Sequence, residues 1–218
     1  MAVRCMEHIL VYGDSLTWGI IPGTRRRLEL EQRWPRVLER EMLQRGSPVR
    51  IVEDCLNGRR TAWDDPFKPG RNGLAGLEQR IEVNSPLSLV VLMLGTNDFQ
   101  SVHRHTAWQS SQGVAALVRA IRRAPIEPGM PIPRILVVAP PRLREPAGEM
   151  ADKFAGGHEK CAGAADAYGA VAAELECAFF DAGRVIRTSV VDGVHLDADQ
   201  HQVLGRELAP IVARLLVS

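Results

Sequence analysis

The sequence predicts an α/β protein with a five-stranded parallel sheet sandwiched between helices. Three observations predict it. Short apolar runs recur near residues 8–12, 49–52, 88–94, 135–139 and 178–180. Segments of helical periodicity separate them, and turn-forming Gly, Asp, Asn or Pro clusters follow most of the runs. Parallel strands need crossover connections, and helical crossovers cover both sheet faces, so this alternation specifies layers. At 218 residues the chain is long enough for one domain with a large core, and no linker-like composition shift divides residues 1–218.

The first strand runs through Ile9-Leu10-Val11-Tyr12 into Gly13-Asp14-Ser15-Leu16. Residues 20–33, with Pro22-Gly23 and Arg25-Arg26-Arg27, read as a surface excursion. Trp34, Val37, Leu38 and Met42 then recur at helical spacing, with Pro35 in the first turn and Gly46 at the end. Val49–Val52 is the second strand. A polar stretch at 59–73, rich in Asp, Pro and Gly, is too long for a minimal connection and has the character of a functional loop. A helix is expected over 74–83. The continuous apolar run 88–94 suits a central strand buried on both faces. A helix follows over 107–123, with Val114, Leu117, Val118 and Ile121 on one face, and Pro140-Pro141 stops the fourth strand. An Ala-rich helix is expected over roughly 158–176. It leads to the strand Ala178-Phe179-Phe180, and the last helix carries Val203, Leu204, Leu208, Ile211, Val212 and Leu215.

Charge and composition remove several function classes. A formal net charge of +1, with the two signs interspersed, gives no footprint for nucleic acid or an anionic membrane. The basic runs at 25–27, 59–60 and 122–123 are open to reading as anion sites, but solvated loop or helix faces are the favoured reading. No signal peptide is visible, and no apolar run approaches the roughly 18 residues needed to span a bilayer, so a soluble cytoplasmic protein is expected. Cys5, Cys55, Cys161 and Cys177 lie far apart without a C-x-x-C pair or a histidine cluster, the pattern of free thiols rather than of a zinc site or disulfide framework.

Ser15 follows a buried strand, a position that fixes the backbone of a nucleophile. A serine hydroxyl needs a base, and the base needs a group that holds one tautomer. His195 and Asp192 suit those roles, because three residues of separation in a turn let the carboxylate reach one ring nitrogen while the other faces the serine. Taken alone, this pair also reads as a turn carboxylate and a surface histidine. Asp14 adjoins the serine and is expected to shape the turn as a cap rather than to act as the triad acid. Oxyanion donors are expected from the Ser15 and Gly58 backbone N–H groups and the Asn97 side-chain amide, each contributing roughly 3 kcal/mol to the transition state. Each of these residues is also an ordinary turn residue, and only their joint placement after three strands argues for chemistry. The serine does not lie in the G-x-S-x-G elbow of α/β-hydrolases.

In order and spacing, Gly13-Asp14-Ser15-Leu16, Gly58, Gly95-Thr96-Asn97-Asp98 and Asp192-x-x-His195 resemble the four blocks of the SGNH (GDSL-type) hydrolase family. The resemblance covers essentially the whole chain. Thr17-Trp18-Gly19, Arg59, Asp64-Asp65-Pro66, Arg71-Asn72-Gly73 and Phe179-Phe180-Asp181-Ala182-Gly183 are similar to its bacterial arylesterase and acyltransferase subgroup. It implies a flavodoxin-like three-layer sandwich with no metal or organic cofactor. It also implies Ser15 as nucleophile, His195 as base and acid, Asp192 as orienter, and Ser15, Gly58 and Asn97 as oxyanion donors. The subgroup handles short-chain acyl esters, transfers acyl groups to alcohols, and forms homo-oligomers, octamers among them, whose neighbouring subunits narrow the site entrance. Ile20 stands where that subgroup can carry a second tryptophan, which bears on pocket shape. Trp18, Ile20 and Trp63 are the candidate substrate-contacting residues.

A carbohydrate deacetylase is the competing enzyme reading, although four Trp, two Tyr and five Phe leave few platforms for sugar stacking. A catalytically silent binding module is disfavoured because Ser15, Asn97, Asp192 and His195 are all present. A flavin or nucleotide site is disfavoured because the first loop lacks G-x-G-x-x-G and the P-loop pattern.

Overall fold

Strand β1 (Glu7–Gly13) lies between β2 (Val49–Cys55) and β3 (Leu89–Met93), and β4 (Arg134–Ala139) and β5 (Ala178–Asp181) continue the sheet. The order is β2-β1-β3-β4-β5, with every neighbouring pair parallel. This is the flavodoxin-like order, whose switch point falls beside β1. A computed structural model of the chain describes residues 6–217, so Cys5 lies outside the described residues. Gly13 pairs in register with Cys55 on one side and Met93 on the other, so three strands end at one level. The segments that leave them therefore share one sheet edge.

The period-2 alternation of the strands sorts their side chains onto two faces. Ile9, Val11, Val91, Leu136 and Val138 pack on one face against Trp34 and Leu38 of α2 (Trp34–Gln44) and Leu204 and Leu208 of α7 (Ala198–Val217). Leu10, Tyr12, Val90, Leu92 and Val137 pack on the other, under α3 (Leu77–Asn84), α4 (Ala107–Arg123) and α6 (Ala164–Glu174). Each fully buried leucine of these layers contributes about 1.5–3 kcal/mol. Helices α2 and α7 approach closely because position 205 is glycine, where a Cβ would lie 2.6 Å from Val37 Cβ. The Trp34 N–H, unpaired within α2, donates to His201 Nδ1 on α7 at 3.2 Å.

Local differences from the sequence expectation have identifiable causes. The Ala-rich helix expected over 158–176 is two pieces, α5 (Gly157–Lys160) and α6, because Gly163 takes a left-handed φ of 76° as the cap between them. Strand β2 runs on to Cys55, since Arg59 and Arg80 neutralise its polar end at Asp54. The excursion 20–33 is pinned rather than loose. Ile20 and Arg27 form an antiparallel bridge, and Arg27 and Arg33 both pair with Glu53.

The reading of Arg59 and Arg60 as a solvated face is corrected: they are 3% and 0% exposed. Arg59 donates to the Gly13 and Asp54 carbonyls, pairs with Asp54, and stacks over Tyr12 with its guanidinium carbon 3.9 Å from the ring centroid. Arg60 donates to the Asp64 carbonyl, Asp65 Oδ2 and Gln100 Oε1, tying the long loop to the turn after β3.

Candidate active site

Ser15 is the first residue of the single-turn helix α1 (Ser15–Trp18), which begins where β1 ends. Asp14 caps it, accepting the Leu16 N–H at 2.9 Å, and Gly19 closes it with a left-handed φ of 85°. Glycine is required before the cap, since a Cβ on Gly13 would lie 2.3 Å from Thr17 Oγ1. Being at the helix start, the Ser15 N–H has no acceptor among the described residues.

Asp192 and His195 lie in the loop before α7. Asp192 Oδ1 accepts the Val194 and His195 N–H groups, each at 2.9 Å. Its Oδ2 lies 2.8 Å from His195 Nδ1 and accepts the Gly23 N–H at 3.2 Å. Burial alone raises the carboxyl pKa, but the His195 ring and the surrounding amides outweigh it and hold the group down at about 2. An ionised carboxylate on Nδ1 selects the tautomer that leaves Nε2 free to accept a proton. The Gly23 contact brings the basic excursion into this arrangement, a role that no local motif announces.

Asn97 sits in the 3-10 turn Thr96–Phe99 after β3. Its Nδ2 donates to Asp14 Oδ2 at 3.0 Å and to the Arg59 carbonyl at 3.1 Å, while its Oδ1 accepts from Gln100 Nε2 at 2.8 Å. These contacts fix which way the amide points. They also engage both amide hydrogens, so a third acceptor must share one of them. Burial drives the Asp14 carboxyl up to about 7 against the pull of Leu16 N–H and Asn97. Gly58 has φ 85°, and its N–H has no acceptor among the described residues.

Ser15, Gly58, Asn97 and His195 line one cavity of about 30 Å³ together with Ile20, Met150 and Phe154. Asp192 stands behind His195. A larger cavity of about 510 Å³ lies beside Pro141, Leu143 and Tyr168 and contains none of these four residues, so the chemistry belongs to the small one.

Two expected pocket residues are elsewhere. Trp18 lies under the Arg27 guanidinium, 4.7 Å from the ring centroid, and Trp63 packs on His105 with centroids 4.3 Å apart; neither lines the cavity. Of the three expected contact residues, Ile20 lines the cavity with Ser15. Sequence reasoning missed Met150 and Phe154, which come from a segment without helical or strand periodicity. It also assigned no role to Asp98, which is buried and accepts from Thr61 N–H, Thr61 Oγ1 and Ser110 Oγ, bracing the long loop against α4. Among the described residues no group of three or more His, Cys, Asp or Glu side chains is arranged to hold a metal ion, and no helix is long and apolar enough to cross a membrane.

The chain is similar in structure to a carbohydrate acetylesterase family member from Sinorhizobium meliloti, at 42% identity over 98% of this chain and 100% of that one, with a TM-score of 0.91. It is similar to the inhibitor-bound aryl esterase of M. smegmatis at 35% identity, over 96% and 100% of the two chains, with a TM-score of 0.90. The lipase/acylhydrolase from Enterococcus faecalis, at 16% identity over 94% and 97% of the chains and a TM-score of 0.65, shares the fold. No curated protein sequence matches the chain. The family model for the GDSL-like lipase/acylhydrolase family matches residues 11–203, a span that includes Ser15, Gly58, Asn97, Asp192 and His195. With the sheet order, the capped serine and the full-length structural likeness, this match makes the chain a carboxylic ester hydrolase belonging to the GDSL-like lipase/acylhydrolase family.

Proposed function

We propose that the enzyme hydrolyses short-chain acyl esters, acetyl and aryl esters among them, through an acyl-enzyme on Ser15. The observation that carries this reading is the shared cavity. A serine hydroxyl, an imidazole oriented by an ionised Asp192, and two unpaired backbone N–H groups line one narrow cavity. Ser15 Oγ attacks the ester carbonyl while His195 Nε2 takes its proton. The tetrahedral oxyanion accepts from the Ser15 and Gly58 N–H groups and from Asn97 Nδ2, whose bond to the Arg59 carbonyl is the one it shares. His195 then returns the proton to the leaving alcohol, and water, or a second alcohol in acyl transfer, resolves the acyl-enzyme.

A second reading, deacetylation of carbohydrates, is favoured by the 42% identity with a carbohydrate acetylesterase family member. A p-nitrophenyl ester series of increasing acyl length, run with and without an acceptor alcohol and beside acetylated xylan fragments, tests both. Fastest turnover on acetate supports the short-chain reading, whereas equal rates on long acyl chains contradict it. Faster release from the xylan fragments favours the sugar reading.

Assembly into a homo-oligomer, with a neighbour narrowing the entrance, belongs to the same proposal. Val190 and Val191, exposed beside the Asp192 loop, are side chains that such a neighbour would cover. Light scattering tests it, and a monomer contradicts it. Residence in the reducing cytoplasm is supported by the free thiols of Cys55, Cys161 and Cys177.

A further inference from the structure

We propose that the ester's alcohol portion carries a negative charge, bound by Arg25, Lys68 and Lys153 at the mouth of the Ser15 cavity. The inference rests on the esterase reading above and adds the class of substrate.

The three cations come from three separate segments: the excursion at 20–33, the long loop at 59–73 and the turn before α5. All three line the cavity that holds Ser15 and His195. Among the described residues none of the three side chains forms a salt bridge or donates a hydrogen bond, unlike Arg27, Arg33, Arg59 and Arg60. One carboxylate, that of Asp65, lines the cavity with them, and it is committed elsewhere. Its Oδ2 accepts from Arg60 Nη2 at 2.9 Å, and its Oδ1 accepts the Phe67 and Lys68 N–H groups. The mouth therefore carries an excess of positive charge.

That excess is felt within the cluster. Burial, then the charges of Arg25 and Lys68, lower the Lys153 pKa, and burial, then Arg71 and Arg25, lower that of Lys68, in each case against the opposing pull of Asp65. Lys153 Nζ lies 5.8 Å from the Phe154 ring centroid, and Asp65 is the one carboxylate lining the cavity with the three cations. Three cations against one carboxylate at a reactive cavity are an arrangement that an anionic ligand neutralises, and such a cleft raises the local concentration of the ligand.

Geometry assigns the charge to the alcohol side. On the acyl-enzyme reading the acyl group lies at Ser15, whereas Arg25, Lys68 and Lys153 are exposed at the rim of the cavity. Lys68, Lys153 and Asp65 also line an adjoining open groove of about 410 Å³ with Phe67, Gln100 and Val102. An alcohol leaving the serine toward this groove passes between the two lysines, with Phe67 as an apolar face. Both a carboxylate and a phosphate have the required chemistry.

The test compares kcat/KM for 4-acetoxybenzoate, the neutral 4-acetoxybenzamide and 4-acetoxyphenyl phosphate, each divided by its uncatalysed hydroxide rate, with p-nitrophenyl acetate as the reference ester. At low salt the wild type is expected to favour one or both anionic esters by about tenfold or more, and the favoured anion identifies carboxylate or phosphate. The preference should shrink on raising salt and collapse in Lys68→Gln/Lys153→Gln and in Arg25→Gln, while Lys68→Arg/Lys153→Arg retains it. Turnover of p-nitrophenyl acetate without an anionic preference, or a preference untouched by salt and by the glutamine variants, overturns the inference while leaving the esterase reading intact. Absence of p-nitrophenyl acetate turnover in the wild type instead brings down the esterase reading itself, and the inference with it.

Discussion

Asn97 Nδ2 donates to Asp14 Oδ2 at 3.0 Å, so the residue that precedes Ser15 also orients an amide in the turn after the neighbouring strand. The same carboxylate caps α1 through the Leu16 N–H. Asp14 thus holds two arms of the candidate site at once, and on the proposed mechanism it acts as a positioning residue. Asp14→Ala is expected to lower kcat on p-nitrophenyl acetate by about tenfold to a hundredfold with little change in KM, and Asn97→Ala by about a hundredfold to a thousandfold. Steady-state kinetics of the two variants and their double mutant check this. Strong non-additivity is the expected signature of a shared function.

Asp192→Asn removes the acceptor that selects the His195 tautomer. A loss in kcat of about ten-thousandfold is expected at neutral pH. Because the wild-type carboxyl, held at about 2, stays ionised at working pH, the loss in Asp192→Asn is expected across the whole working pH range, which pH–rate profiles of the two enzymes check. A loss confined to acid pH would contradict the assignment.

Much of the fold was legible because its signals are local. The five apolar runs alternate with amphipathic segments, and α4 was readable to its termini because Thr106 caps it and Pro125 stops further helix. The expected site residues lie after the strands at the sheet edge or in the last loop. What could not be read depends on distant partners. Arg59 and Arg60 look like a solvated pair until Asp54, Asp65 and Gln100 surround them. Trp18 looks like a pocket wall until Arg27 lies over it. Met150 and Phe154 belong to an irregular segment whose position is set by the elements around it.

His201 should contribute an acid-sensitive share of the stability. Burial, then the Arg33 charge, lowers its pKa from 6.5 to about 3, and its Nδ1 accepts the Trp34 N–H. The stabilisation is fully present above the unfolded value of 6.5 and is lost as pH falls toward 3. The slope from this group approaches about 1.4 kcal/mol per pH unit. Asp14 and Asp98, raised to about 7 and about 6, contribute with the opposite sign. His201→Asn, which keeps an acceptor but does not titrate, isolates the effect. In urea unfolding from pH 7 to 4, the stability advantage of the wild type over the variant should be largest near pH 7 and shrink as pH falls; a difference independent of pH would contradict the assignment.

Gly95→Ala should destabilise the fold as well as the site. Gly95 has φ 123°, and a Cβ there would lie 1.8 Å from the Tyr168 hydroxyl, which is 2.6 Å from Ser110 Oγ. Strain and overpacking together predict a loss of about 3 kcal/mol or more, read as a lowered urea midpoint at unchanged m-value.

Covalent labelling tests the central claim most directly. Folded wild-type enzyme treated with a fluorophosphonate and mapped by mass spectrometry should carry one adduct, on Ser15, with loss of p-nitrophenyl acetate turnover in proportion to labelling. Ser15→Ala should be both unlabelled and inactive. An adduct at another residue, or full turnover in Ser15→Ala, would contradict the account.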